Sequence, residues 1–151
     1  MPFVSLKGRI QTDVKAAMRA REKTRLGTLR LIGAAIKQRE VDERVELDDS
    51  QIMAVLEKML KQRRESIAQF EKAGRDDLVA VESAEIEVIR GYLPEPLDPA
   101  AVAALVDSVI EETGASSVRD MGKVMGNLKP RIQGRADMGQ VSALVKSRLA
   151  S

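Results

Sequence analysis

A core built almost entirely from aliphatic side chains is the feature that most restricts the fold of this chain. Its 151 residues are 44% hydrophobic, yet only 2% are aromatic: one Tyr, two Phe and no Trp. Ala, Leu, Val, Ile and Met must therefore fill the interior, and this set of side chains suits helix packing better than a β-sandwich. Helical periodicity runs almost throughout the chain, without convincing alternation of apolar and polar residues. The sequence predicts an all-α protein.

The composition also excludes most familiar enzyme chemistry. The chain has no cysteine and no histidine, which removes disulfides, thiolate nucleophiles, the usual metal ligands and the general base that titrates near neutral pH. The sequence contains neither a GxxxxGK[ST] phosphate loop nor a GxGxxG loop, and its paired carboxylates lie where they can cap helices or face solvent. We therefore expect no catalytic residue, no cofactor and no metal ion.

The same features bear on location. No apolar run approaches the roughly 18 residues that cross a membrane. The N-terminus lacks the apolar segment of a signal peptide, and cysteine is absent. The sequence therefore predicts a cytoplasmic protein that does not associate with membranes.

Four helices are predicted in the first part of the chain. They cover about 5–21, 25–40, 48–74 and 76–93. The third begins at Asp48, which can form a capping box with Gln51, and ends near Gly74 in a left-handed cap. At roughly 25 residues it is predicted to be the long central helix of its domain.

A proline-rich segment is the strongest candidate for a domain boundary. Between residues 94 and 99 there are three prolines, and each removes an amide and clashes with the preceding turn, so a helix cannot continue. Helical periodicity resumes after Asp98, and three shorter helices complete the chain. The predicted organisation is a four-helix N-terminal domain over residues 1–94, a proline-rich hinge, and a three-helix C-terminal domain over residues 95–151.

Charge is unevenly distributed, although the net charge is only +2. Residues 1–39 contain ten Lys or Arg and two acidic residues, whereas residues 40–57 contain seven acidic residues and one arginine. One interpretation is solvated helix faces followed by an acidic loop. The other is a cationic surface for a polyanion, with the acidic stretch limiting promiscuous binding.

The segment between residues 119 and 139 combines glycines with cations. Gly122 and Gly126 lie one turn apart on a predicted helix, where each costs about 1 kcal/mol relative to alanine. Either another helix or a phosphate–sugar backbone is therefore expected to approach them. The other candidate residues of this segment are Lys123, Lys129, Arg131, Gly134 and Arg135. Cations, bare backbone and a helix N-terminus together bind phosphate, whereas the structural alternative is tight helix packing plus a glycine-ended turn.

The same segment resembles the YqeY family. The resemblance rests on Asp120–Gly126, Gly134–Asp137 and the Val141–Leu149 helix. Upstream motifs agree with it over nearly the whole chain: Arg25–Arg30, Lys61–Ser66, Gly74–Leu78 and Tyr92–Pro94. The C-terminal part is similar to the tail domain of the GatB subunit of tRNA-dependent amidotransferases.

This resemblance implies an all-α two-domain protein that engages tRNA or another structured RNA through its C-terminal domain. The RNA-binding role falls on the candidate residues Gly122, Lys123, Gly126, Lys129, Arg131, Gly134 and Arg135. The resemblance does not imply amidotransferase activity, because glutamine hydrolysis and carboxylate activation belong to other subunits and domains. The scarcity of aromatic residues favours recognition of RNA shape and phosphates over base stacking.

Two alternatives stay open. In the first alternative the protein is an adaptor, which docks a protein partner through a helix face carrying Met121 and Met125. The partner would belong to translation or to an amidotransferase complex. In the other the protein is an accessory to amide transfer, a carbon–nitrogen ligase reaction with glutamine as amido-N donor, inside a larger complex. Salt separates RNA binding from apolar docking, because binding to phosphates weakens steeply as salt rises.

Overall fold

The computed structural model describes residues 5–150, and every regular element within them is helical. The α-helices are α1 Leu6–Ala20, α2 Lys23–Glu43, α3 Asp49–Lys72, α4 Asp76–Arg90, α5 Pro99–Thr113, α6 Met121–Ile132 and α7 Met138–Ala150. A single 3-10 turn, Val118–Asp120, precedes α6. Because residues 5–150 contain no strand, the prediction of an all-α protein is confirmed.

Helix α3 begins and ends as its sequence predicts. The Asp48 carboxylate accepts a hydrogen bond from the backbone N–H of Gln51 at 2.9 Å. The side-chain oxygen of Gln51 in turn accepts a hydrogen bond from the backbone N–H of Asp48 at 2.9 Å. At the other end Gly74 has a φ of +68°, and the Arg75 amide donates to the Phe70 carbonyl at 2.9 Å. Glycine suits this position because a left-handed backbone costs it nothing in steric clash.

Helix α2 is longer than predicted. It continues to Glu43, although the helix was predicted to end at about residue 40 and residues 41–43 were expected to lie in the acidic loop that follows. Two side-chain pairs spaced by four residues support the extra turn: Gln38 donates to Asp42 at 2.9 Å, and Arg39 forms an ion pair with Glu43. Such pairs stabilise a helix, so the charged residues here extend α2 instead of ending it.

Helix α3 is the centre of the first group of helices. It packs chiefly against α4 and also contacts α1 and α2. The buried apolar residues of this group are Ile10, Ala17, Leu29, Ile32, Ile36, Leu47, Ile52, Val55, Leu56, Met59, Leu60, Ile89 and Tyr92. All but one are aliphatic, so helix-on-helix packing of branched side chains provides the hydrophobic stabilisation.

Tyr92 is the aromatic exception in this core. Its hydroxyl donates to the Asp13 carboxylate of α1, and the Arg9 guanidinium lies 4.8 Å from the ring centroid. Burial, together with the Asp13 hydrogen bond, raises the pKa of the Tyr92 phenol. The phenol therefore stays protonated and ties the chain just after α4 to α1.

The second group of helices is made by α5, α6 and α7, each in contact with the other two. Helix α5 begins as predicted, with the Asp98 carboxylate accepting the Ala101 amide at 2.7 Å and Pro99 in the first turn. The buried residues here are Val106, Val109, Val124, Leu128, Ile132, Val141, Val145 and Leu149. Contacts within the chain thus form two compact units, residues 1–93 and 94–151.

That each unit folds as a domain of its own, over residues 1–94 and 95–151, stays a prediction. We expect the two pieces, produced separately, to retain helical circular dichroism and to unfold cooperatively in urea, because each has its own apolar core. A piece without cooperative unfolding would contradict the two-domain organisation.

Leu56 provides a test of α3 as the central helix. Its side chain is fully buried, so Leu56→Ala is expected to lower the free energy of unfolding by about 2–5 kcal/mol, through lost burial and the cavity left behind. Urea denaturation measures the change. The exposed Lys58 of the same helix supplies the control, because Lys58→Ala is expected to change stability by less than about 0.5 kcal/mol. Equal effects of the two substitutions would be inconsistent with this packing.

Candidate nucleic-acid interface

The orientation of α6 is set by its apolar side. Val124, Leu128 and Ile132 are completely buried against α5 and α7. Their spacing of four residues places them on one face of the helix. The opposite face is consequently turned to solvent, and this is where the candidate RNA-binding residues are found.

Four of the seven candidate residues lie together on the exposed face of α6. They are Gly122, Lys123, Gly126 and Lys129. Within residues 5–150 neither lysine has a carboxylate within 4 Å. The two lysines flank the line of glycines, so the face combines free positive charge with uncovered backbone.

Packing does not explain the two glycines. Apart from the backbone of α6 itself, a methyl group on Gly122 or Gly126 would meet no heavy atom within 4 Å. The tight helix packing expected in the structural alternative is therefore absent at these two glycines among the described residues, whereas the glycine-ended turn of that alternative is present at Gly134, with a φ of +77°. Gly122 and Gly126 weaken the helix without any packing gain.

Pro130 extends the same face. It lies inside α6, four residues after Gly126, and is exposed. Because proline has no backbone N–H, the Gly126 carbonyl lacks the donor that residue 130 would otherwise supply. Reasoning from the sequence noted Pro130 only as a residue that could end this helix, whereas α6 continues through it to Ile132.

The two candidate arginines are held away from this arrangement. Arg131 forms an ion pair with Glu112 of α5 at 3.1 Å. Arg135 donates from Nε to the Glu95 carbonyl at 2.9 Å, and its own carbonyl accepts the Leu97 amide at 2.9 Å. Arg135 therefore ties the proline-rich segment to the turn that follows α6, within the second unit, and its guanidinium is only partly available to a ligand.

Gly134 and the N-terminus of α7 are also occupied. Gly134 is buried, with a φ of +77°, so it forms the turn after α6 and not an open loop. The Asp137 carboxylate accepts the amides of Gly139 at 2.8 Å and Gln140 at 3.2 Å. These are the donors that a phosphate would use at a helix N-terminus, and the chain satisfies them itself.

The start of α6 is fixed by Asp120. Its carboxylate accepts the amides of Ser116 at 2.9 Å and Ser117 at 3.2 Å. These hydrogen bonds, with a smaller contribution from Lys123, lower the pKa of the Asp120 carboxyl. The carboxylate consequently stays ionised at neutral pH and holds the turn that leads into the exposed face.

The methionines proposed as an adaptor surface are not open. Met121 and Met125 are half-buried and pack against the core of the second unit. Most of their apolar surface is already used inside the protein. This arrangement does not favour a docking face centred on them.

The described part of the chain has no group of three or more Asp or Glu side chains placed to hold a metal ion. Between residues 5 and 150, no helix has the length and apolarity needed to cross a bilayer. The open face of α6 is the candidate site considered below.

Gly126 provides a direct test of this geometry. Because an added side chain would meet open space, Gly126→Ala is expected to raise the free energy of unfolding by about 0.5–1 kcal/mol. Gly126→Leu is expected to keep its helical circular dichroism. As a contrast, Gly134→Ala is expected to be destabilising, because its left-handed backbone disfavours any side chain by about 1–2 kcal/mol. Unfolding of Gly126→Leu would show instead that Gly126 is packed.

Comparison with known proteins matches residues 7–149 to the family described as Yqey-like protein. The relatives include proteins named altered inheritance of mitochondria protein 41, mitochondrial. The one from Pyrenophora tritici-repentis is 35% identical over 130 residues, covering 85% of this chain and 71% of the relative. The one from Eremothecium gossypii is 39% identical over 106 residues, covering 68% of this chain and 58% of that protein. A third, from Clavispora lusitaniae, is 28% identical over 151 residues, covering 99% of this chain and 88% of that protein.

These names contradict the predicted cytoplasmic location. The relatives are named as mitochondrial proteins, so the prediction is wrong. It rested on the absence of cysteine and of an apolar signal segment. Those features argue against disulfides and secretion, but they do not distinguish the cytoplasm from the interior of an organelle.

The resemblance stated from the sequence is confirmed by this match. The motifs that carried it, from Arg25–Arg30 to the Val141–Leu149 helix, all lie inside the matched residues 7–149. The match also covers helices of both compact units. The chain belongs to the YqeY family.

Proposed function

We propose that this protein binds structured RNA, such as tRNA, through the exposed face of α6. The observation that carries the proposal is the pair of lysines, Lys123 and Lys129, beside the uncovered backbone of Gly122 and Gly126. The two glycines let a phosphate–sugar backbone approach the helix closely, and the two lysines supply the counter-charge.

The proposed mode of binding is recognition of phosphates and shape. Among the described residues, Tyr92 is buried and Phe70 is half-buried, so neither offers a free ring on which an unpaired base could stack. Contacts to phosphates and to the 2′-hydroxyls of a folded RNA do not need such a ring. The binding should therefore depend strongly on salt and weakly on sequence.

The proposal is for binding without catalysis. Its support beyond geometry is the similarity of the C-terminal part to the tRNA-engaging tail of the GatB subunit. A role as accessory to amide transfer rests on that similarity alone, and the names of the relatives state no biochemical activity. The α6 face gives an observation for RNA binding and gives none for amide transfer.

The test is the salt dependence of tRNA binding by variants of the two lysines. Lys123→Gln and Lys129→Gln are each expected to weaken binding to fluorescein-labelled tRNA, measured by fluorescence anisotropy. Each is also expected to reduce the slope of log K against log salt by about one unit or slightly less, because one condensed counterion fewer is released. Unfolding in urea should barely change, since exposed charges contribute roughly 0–1 kcal/mol.

Two further variants serve as controls. Lys146→Gln removes an exposed lysine of α7 and is expected to leave the slope unchanged. Arg131→Gln is expected to have a smaller effect than either α6 lysine, because Glu112 already neutralises part of its charge. Binding that is insensitive to Lys123 and Lys129, or equally sensitive to Lys146, would exclude the α6 face as the site.

A further inference from the structure

The fold divides the cations of residues 1–39 into two groups. Four are engaged, and their partners are Lys7 with Glu40, Arg9 with Gly91, Arg25 with Asp13, and Arg39 with Glu43. The exposed cations that have no ion pair among residues 5–150 are Lys15, Arg19, Arg21, Lys23, Arg30 and Lys37. The charges of the first group are engaged inside the fold, whereas the charges of the second group face solvent.

Part of the second group borders a groove between α1 and α2. Gln11 lines the groove from α1, and Gly33 and Lys37 line it from α2. Lys15 lies four residues after Gln11 on α1, so the two side chains share one face of that helix. Arg30 lies three residues before Gly33 on α2 and shares its face in the same way. Lys37 lines the groove itself, and helical spacing places Lys15 and Arg30 one turn beyond it. All three cations lack an ion pair among the described residues.

Gly33 leaves this groove open. Its position inside α2 weakens the helix, yet a methyl group there would meet no heavy atom within 4 Å outside the helix's own backbone. Packing therefore does not require glycine at this position. The combination of an uncovered glycine with neighbouring cations is the same one that is found on the exposed face of α6.

One end of the groove is closed to an anion. Glu40 accepts hydrogen bonds from the Lys7 ammonium at 2.8 Å and from the Leu47 amide at 2.9 Å. These hydrogen bonds, with smaller contributions from the charges of Lys7 and Lys37, lower the pKa of the Glu40 carboxyl. The ionised carboxylate repels phosphate at that end. The favourable part of the groove is the stretch bordered by Lys37, Arg30 and Lys15.

We infer that this groove is a second contact for the phosphate backbone of the same structured RNA, with Lys15, Arg30 and Lys37 as the binding cations. This inference rests on the proposed function. The groove suits phosphates better than a protein partner. Its apolar residues, Ile10 and Ile36, are buried, so they offer no exposed apolar surface to which a protein could bind. Protein interfaces depend on apolar or aromatic anchors.

The test is a triple substitution, Lys15→Gln with Arg30→Gln and Lys37→Gln, in the full-length protein. Its binding to fluorescein-labelled tRNA is expected to weaken, and the slope of log K against log salt to fall by about two to three units. The matched control removes three exposed cations of α3 in the same unit, Lys58, Lys61 and Arg64, by the same change to glutamine. The control is expected to keep the wild-type slope.

A second comparison tests the open groove itself. Gly33→Leu would fill the groove and is expected to weaken tRNA binding while circular dichroism stays helical. Gly27→Leu places the same side chain on the same helix, also in open space, but 6 residues away and on a different face. Gly27→Leu is expected to bind as the wild type does. Equal binding by the two variants would overturn the groove as a contact.

The outcomes separate this inference from the proposed function. If the groove triple binds as the α3 control does while the α6 variants weaken, the inference fails and the proposed function stands. If the groove triple weakens and the α6 variants do not, the groove is supported and the α6 site is rejected. A wild-type protein that binds no tRNA overturns both.

Discussion

Burial of one apolar side of each helix is the interaction on which the rest of this structure depends. In α6, Val124, Leu128 and Ile132 are completely buried, and this rotates Gly122 and Gly126 into open space. In α2, burial of Leu29, Ile32 and Ile36 leaves Arg30, Gly33 and Lys37 outside the core. The candidate sites are therefore consequences of core packing, since a helix whose apolar side is fixed has no freedom in what it presents to solvent.

The glycines make sense only when helix stability and accessibility are considered together. A glycine inside a helix is disfavoured relative to alanine, and at Gly33, Gly122 and Gly126 no neighbouring group requires it. All three positions have cations nearby that lack an ion pair among residues 5–150. The combination of uncovered backbone with neighbouring cations therefore occurs in both compact units.

Ion pairing separates the cations of this protein into two groups: those whose charge is paired within the fold and those whose charge is available to a ligand. Lys7 and Lys37 have the same side chain, yet Lys7 binds Glu40 at 2.8 Å whereas Lys37 borders the open part of the α1–α2 groove. Arg131 and Lys129 differ in the same way, because Glu112 lies 3.1 Å from Arg131. An ion pair lowers the charge that a ligand senses, so the number of cations in a segment overstates its capacity to bind phosphate.

The sequence by itself determined the all-α fold, the capping box of α3 and the glycine that ends it, because periodicity and caps depend on residues within a few positions of each other. It also indicated the YqeY family and the glycine–lysine pattern of α6. It underestimated the length of α2, where pairs spaced by four residues outweighed the acidic composition. Only the tertiary structure decided that Arg131 pairs with Glu112, that Arg135 holds Glu95, and that Gly134 is buried. Those contacts join residues 19 and 40 positions apart or require a packed interior, and no local pattern encodes which distant groups the folded chain brings together.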